Sequence, residues 1–217
     1  MFRDVLSFDC ASKTLAWFRC AMIVDADRIF RQLESEYATA ANSDSRESIA
    51  AKYQVIASNV VVPIDYGVVD LGGGALGSEI NDITRARAVR WLVDSIAPAT
   101  PNTIVLVEDQ PPFNQSSVPV QHQLMTLYAN CDVRVVPPRL KNTIQFTGME
   151  YGGFLVAATS SYNANKQHSV ANFIKLVGVF GLKLHITAVK LDDIADAFMQ
   201  AMTLFGGNKI KSSAQYR

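Results

Sequence analysis

Val5-Leu6-Ser7-Phe8-Asp9-Cys10-Ala11-Ser12-Lys13-Thr14-Leu15-Ala16 is the stretch on which the reading of this chain turns. An apolar run of strand character, residues 4–9, ends on a carboxylate. Small and polar residues make a bend, and a second strand-like run follows over 15–24. An Asp at the end of a strand is ambiguous by itself, since Asp forms turns by accepting from nearby backbone N–H groups. What gives Asp9 weight is its company further along the chain.

Thr103-Ile104-Val105-Leu106-Val107-Glu108 is a second apolar run that ends on an acid. Strand-end carboxylates in α/β proteins frequently line the ligand crevice. Leu191-Asp192-Asp193-Ile194-Ala195-Asp196-Ala197-Phe198 reads as a helix, with Ile194, Phe198, Ala201 and Phe205 forming one apolar stripe. Asp193 and Asp196, at i and i+3, share a face off that stripe, where they repel each other unless a cation intervenes. Acids at a helix start also suit the dipole and can simply face water. Taken as a set, four acids delivered by strands and a helix toward one point suggest a divalent-metal site and phosphoryl chemistry.

The 217 residues are 49% hydrophobic and 18% charged, enough for a substantial core and too ordered a composition for a disordered chain; one domain over 1–217 is expected. The apolar stretch 170–189 is interrupted by Lys175, Lys183 and His185, so no membrane span is expected. Nor does the N-terminus have the pattern of a secretory signal. Cys10, Cys20 and Cys131 are odd in number and lack CxxC pairing, which favours an intracellular, reducing compartment and three unpaired thiols. The net charge of zero conceals a split. Residues 1–131 carry 10 Lys and Arg against 15 Asp and Glu, whereas residues 132–190 carry 7 against 2. An acidic catalytic region beside a basic surface able to hold a phosphate backbone fits that split, as does ordinary surface scatter.

Between the landmark segments, residues 26–52 lean toward helix with a loop at 42–45. Residues 60–62 and 66–71 read as strand bent at Pro63, and a helix runs from 82 to about 96. A helix over 118–130 and a strand over 133–136 follow, the strand stopped by Pro137-Pro138. Residues 142–166 are Gly-, Ser- and Asn-rich, and two helices, about 167–179 and 191–205, close the chain. The order predicts an α/β fold in which a mixed sheet is covered by helices.

With these elements in place the sequence resembles the RuvC-like Holliday junction resolvases, in particular their poxviral and mitochondrial branch, within the ribonuclease H-like superfamily. The resemblance rests on residues 6–16, on Val107-Glu108-Asp109-Gln110-Pro111 and on Lys190-Leu191-Asp192-Asp193-Ile194-Ala195-Asp196-Ala197, in that order. It implies a ribonuclease H-like fold and two Mg²⁺ ions, replaceable by Mn²⁺, held by Asp9, Glu108, Asp193 and Asp196. It also implies lysines beside the metals, for which Lys141 and Lys166 are the candidates, each equally readable as a solvated lysine. The implied activity is hydrolysis of DNA phosphodiesters at four-way or other branched junctions by a homodimer, with the helix around Ala88-Val89-Trp91-Leu92 as candidate interface or plain core. Ala11 departs from the Gly usual two residues after the first Asp. Asp192 adjoins Asp193, so which one ligates is open, the three-residue spacing to Asp196 favouring Asp193.

Other readings compete. A nuclease of the same superfamily acting on RNA–DNA hybrids, or a transposase-like enzyme, would share the acids. Gly72-Gly73-Gly74-Ala75-Leu76-Gly77 matches GxGxxG, with Glu108 as a ribose-binding acid, although the interval to Glu108 exceeds the usual spacing of about 20 residues. His122, His168 and His185 are too dispersed to suggest a metal triad. Trp17 reads as core, and Tyr151-Gly152-Gly153-Phe154 as a loop that could approach DNA bases.

Overall fold

The computed structural model describes residues 2–11, 13–23, 26–72, 82–96, 98–142, 162–185, 191–204 and 211–212. Strands β1 (Phe2–Cys10) and β2 (Thr14–Ile23) form an antiparallel hairpin, its turn closed by the Ala11 N–H donating to the Thr14 carbonyl at 3.1 Å. Strand β3 (Val61–Asp70) continues the meander on the outer side of β2. On the other side, β4 (Ile104–Glu108) and β5 (Asp132–Val136) run parallel to β1, and the short β6 (Lys211–Ser212) is antiparallel to β5. The sheet order is β3-β2-β1-β4-β5-β6, the mixed sheet the sequence predicts.

Among the described residues, six α-helices cover the sheet: α1 (Ala26–Thr39), α2 (Ser43–Val60), α3 (Asp82–Ile96), α4 (Val118–Leu127), α5 (Tyr162–Val179) and α6 (Leu191–Met202). The period-two alternation of the strands sorts the core into two layers. Leu6, Phe8, Leu15, Trp17, Val105 and Val107 pack against α3 and α4. Val5, Ala16, Phe18, Ile104 and Leu106 pack on the opposite side against α1, α2, α5 and α6. By the same alternation Asp9 falls in phase with Val5, Glu108 with Leu106, and Thr14 with Ala16. All three are thereby assigned to the α6 face, and the apolar pattern is what puts them there.

Helix α6 is the central element of that layer. Every residue from Asp193 to Met202 is buried, with α5 packed on it and β1 and β2 beneath. Phe198 meets Phe18 and Phe173 edge to face, each at 5.0 Å between ring centroids. Burying side chains of this size contributes about 1.5–3 kcal/mol apiece. The expected choice for Asp193 and Asp196 between a watered helix face and a gathered site is thus decided for burial.

Some boundaries differ from expectation for local reasons. The break between α1 and α2 falls before residue 43, because the Asn42 side chain caps α2 by accepting from the Ser45 N–H at 2.9 Å. Helix α2 then runs through to Val60, so the Val60-Val61-Val62 run is divided between helix and strand. Pro63 is accommodated on an edge strand, where the pairing of β2 with β3 shifts register between Arg19 and Cys20. Trp17 is core, as expected; its indole N–H donates to Asp65 at 3.2 Å. Helix α5 begins at Tyr162, earlier than expected. Gly73 to Gly77, the Tyr151–Phe154 loop and Phe205 lie outside the described residues. No helix among the described residues is long and apolar enough to cross a membrane, and Cys10, Cys20 and Cys131 are unpaired thiols.

Candidate active site

Asp9, Glu108 and Asp196 come from three elements nearly 190 residues apart in sequence and meet at one cation, Lys141. Pro137 and Pro138 end β5 and turn the chain into a short 3-10 helix over Pro138–Asn142, closed by the Leu140 N–H donating to the Pro137 carbonyl. That turn sends Lys141 back toward the end of the neighbouring β4. Its Nζ lies 3.0 Å from Asp196 Oδ2, 3.1 Å from Glu108 Oε1 and 3.5 Å from Asp9 Oδ1.

Asp193 and Lys166 form the second part of the site. Lys166 Nζ is 2.7 Å from Asp192 Oδ2 and 3.6 Å from Asp193 Oδ1. The two neighbouring acids are unequal. Asp193 is buried and accepts from the Thr14 hydroxyl at 3.1 Å, whereas the Asp192 side chain is 40% exposed. The six expected site residues thus fall into two ion-paired groups, Asp9, Glu108 and Asp196 around Lys141 and Asp193 beside Lys166, joined through α6, with Asp192 the nearer partner of Lys166.

The electrostatics are those of an excess of buried negative charge. Burial pushes the Asp9 carboxyl up; Lys141 pulls it down, Glu108 and Asp196 push it up again, and the result lies well above the usual carboxylate range. Burial works against the charge on Lys141, but Asp9, Glu108 and Asp196 together outweigh it and raise its pKa, so the ammonium is retained at neutral pH. Burial would raise Asp192, yet its bond to Lys166 lowers it overall. Burial, reinforced by Glu108 and Asp9, lifts the Cys10 thiol well above its ordinary value, which keeps it protonated and inert.

An all-carboxylate donor set suits a hard divalent cation such as Mg²⁺, and an ammonium already stands among three of the acids. As arranged, however, no group of three or more His, Cys, Asp or Glu side chains among the described residues is set to hold a metal ion. The four expected ligands are gathered but not closed up, with Lys141 occupying the space between three of them. The dinucleotide reading fares worse: β3 and β4 are separated by β2 and β1 rather than adjacent, and Glu108 is committed to Lys141 and Gln110.

Three side chains of the site had not been singled out from the sequence. Gln110 donates to Glu108 Oε2 at 2.8 Å, Ser169 donates to Asp196 Oδ1, and Thr14 donates to Asp193. Thr14 and Gln110 lie inside the segments that carried the resemblance. Ser169 had only its place one turn beyond Lys166 to mark it.

The family described as Poxvirus A22 protein matches residues 76–206. Among solved structures, the chain is similar to the fowlpox virus resolvase in complex with its Holliday junction DNA, at 17% identity and TM-score 0.56, covering 94% of this chain and 97% of that one. It is also similar to Thermus thermophilus RuvC, at 13% identity and TM-score 0.52, covering 96% of this chain and 99% of that one. At such identities the likeness is one of fold. None of the curated proteins compared with the chain matches it. The fold is ribonuclease H-like, and with the family match spanning more than half of its length the chain belongs to the Poxvirus A22 protein family, a branch of the RuvC-like resolvases.

Proposed function

We propose that the protein is a Mg²⁺-dependent endonuclease that resolves four-way DNA junctions by paired phosphodiester hydrolysis, acting as a single domain over residues 1–217, as a homodimer, in the cytoplasm. The observation that carries this reading is the convergence of Asp9, Glu108 and Asp196 on one buried ammonium, with Asp193 beside them on α6. Asp9, Glu108, Asp193 and Asp196 would hold two metal ions, which supply a water acidified for attack and neutralise charge on the phosphate.

The protein's own part is to place and discharge. Asp9 and Glu108 are fixed by strands and Asp193 and Asp196 by a helix buried between layers, so the carboxylates keep their spacing without substrate. Lys141 and Lys166, now paired with the acids, would stabilise negative charge as it grows on the phosphate oxygens. Symmetric resolution needs two sites related by a two-fold axis. On α3, Val89 and Leu92 are core and Ala88 is half-buried, while Trp91 is 56% exposed and Ile83 61%. The candidate interface is accordingly the Ile83 and Trp91 side of the helix.

The substrate is tested by supplying a mobile four-way junction, linear duplex and RNA–DNA hybrid in parallel with Mg²⁺. Paired nicks at symmetric positions of the junction, with the other two left intact, are expected. Preferential cleavage of the hybrid would replace the proposal with a ribonuclease H-like activity.

A further inference from the structure

Three carboxylates of the cluster share one pattern of hydrogen bonds. Glu108 Oε2 accepts from Gln110 Nε2 at 2.8 Å, leaving Oε1 facing Lys141 at 3.1 Å. Asp196 Oδ1 accepts from Ser169 Oγ, leaving Oδ2 facing Lys141 at 3.0 Å. Asp193 Oδ2 accepts from Thr14 Oγ1 at 3.1 Å, leaving Oδ1 toward Lys166 at 3.6 Å. In each case a neutral donor holds one oxygen and a cation faces the other.

The donors are themselves fixed. Ser169 is buried on α5, against α6. Thr14 is the first residue of β2 and is paired in the ladder with Asp70. Gln110 is buried, its backbone N–H donates to Gln121 Oε1 at 2.9 Å, and its own Oε1 accepts from Asn114 at 3.1 Å. None of the three carries charge, so none relieves the excess of negative charge. Their effect is orientational.

We propose that Thr14, Gln110 and Ser169 are positioning residues that make Glu108, Asp193 and Asp196 one-oxygen ligands and thereby select Mg²⁺ over larger cations. A carboxylate free to rotate can offer both oxygens, which suits Ca²⁺, with its six to eight ligands and flexible geometry. Mg²⁺ demands near-octahedral coordination at shorter distance and gains from ligands already set to one oxygen. Donors that orient metal ligands in this way typically change metal affinity or activity about 10–100-fold when removed.

The inference rests on the reading of these acids as metal ligands, and its test separates the two. Mg²⁺ and Ca²⁺ are titrated calorimetrically into the DNA-free full-length protein, for wild type, Ser169→Ala, Thr14→Val and Thr14→Ser, with melting temperatures taken in chelator. Wild type is expected to bind Mg²⁺. Ser169→Ala and Thr14→Val should weaken Mg²⁺ about tenfold and Ca²⁺ much less, with melting in chelator unchanged. Thr14→Ser, which keeps the hydroxyl, should bind Mg²⁺ as wild type does. Folded Ser169→Ala and Thr14→Val with wild-type Mg²⁺ affinity would overturn the inference while leaving the metal site standing. So would a Thr14→Ser variant as impaired as Thr14→Val, or losses that merely follow a fall in melting temperature. A wild type that takes up no Mg²⁺ would remove the metal reading and the inference with it.

Discussion

Asp9 is a carboxylate whose burial works against stability. Its pKa lies well above the ordinary value, so the folded state penalises its ionised form relative to the unfolded chain. The contribution is therefore unfavourable above the unfolded pKa near 4 and fades as acid protonates the group in both states. Asp9→Asn, in chelator at neutral pH, is expected to melt above wild type, with the gap closing toward acid pH. Lys141 carries the opposite sign. Lys141→Met leaves three buried carboxylates without their shared counter-ion, so it should destabilise the metal-free protein by about 3 kcal/mol. Added Mg²⁺ should recover much of that loss by binding only the folded state, measured as melting temperature against Mg²⁺ concentration. Asp9 and Glu108 were legible in the sequence because an apolar strand pattern ends on each, and Asp193 and Asp196 because they share a face at the start of a helix; Lys141 and Lys166 came only from the family resemblance, each equally readable as a solvated lysine. Ser169 was not legible, since a single hydroxyl on a helix gives no signal until the helix it faces is known.

Among the elements the strands were the easiest to read: apolar runs ending on Asp9 and Glu108 marked β1 and β4. The common face of Asp9, Thr14 and Glu108 follows only from the register of the assembled sheet, since Thr14 reads in sequence as part of the bend. Helix ends were harder to read: the side-chain cap by Asn42 and the passage from α2 straight into β3 at Val61 depend on competition between neighbouring propensities. The short β6 gave no pattern, because two residues cannot show a period. Close approach between strands was likewise invisible. A Cβ at Gly67 would stand 2.7 Å from two atoms of the Trp17 ring, which crosses that position from the neighbouring strand. Gly67→Ala is expected to cost about 1–3 kcal/mol, read by denaturant unfolding together with a change in tryptophan fluorescence. A Gly67→Ala protein as stable as wild type would show that the indole has room to move.

For the molecule as a whole, the chain order of its elements matters more than any one of them. The first strand, the fourth strand and the last long helix each bring an acid, so the site exists only when the sheet and the α6 layer are both assembled. Symmetric cutting asks further for two such molecules. Trp91→Ser should shift the protein from dimer to monomer in sedimentation equilibrium while the monomer stays folded, because the side chain is largely outside the core. A variant that stays dimeric would move the interface elsewhere. Whether the gathered carboxylates cut DNA at four-way junctions is decided by Asp9→Asn on a mobile junction with Mg²⁺. Cleavage is expected to fall about 10³-fold, the scale of losing a group essential to charge stabilisation, while junction binding by gel shift is kept. Cleavage by Asp9→Asn at the wild-type rate would show that these acids do not do the cutting.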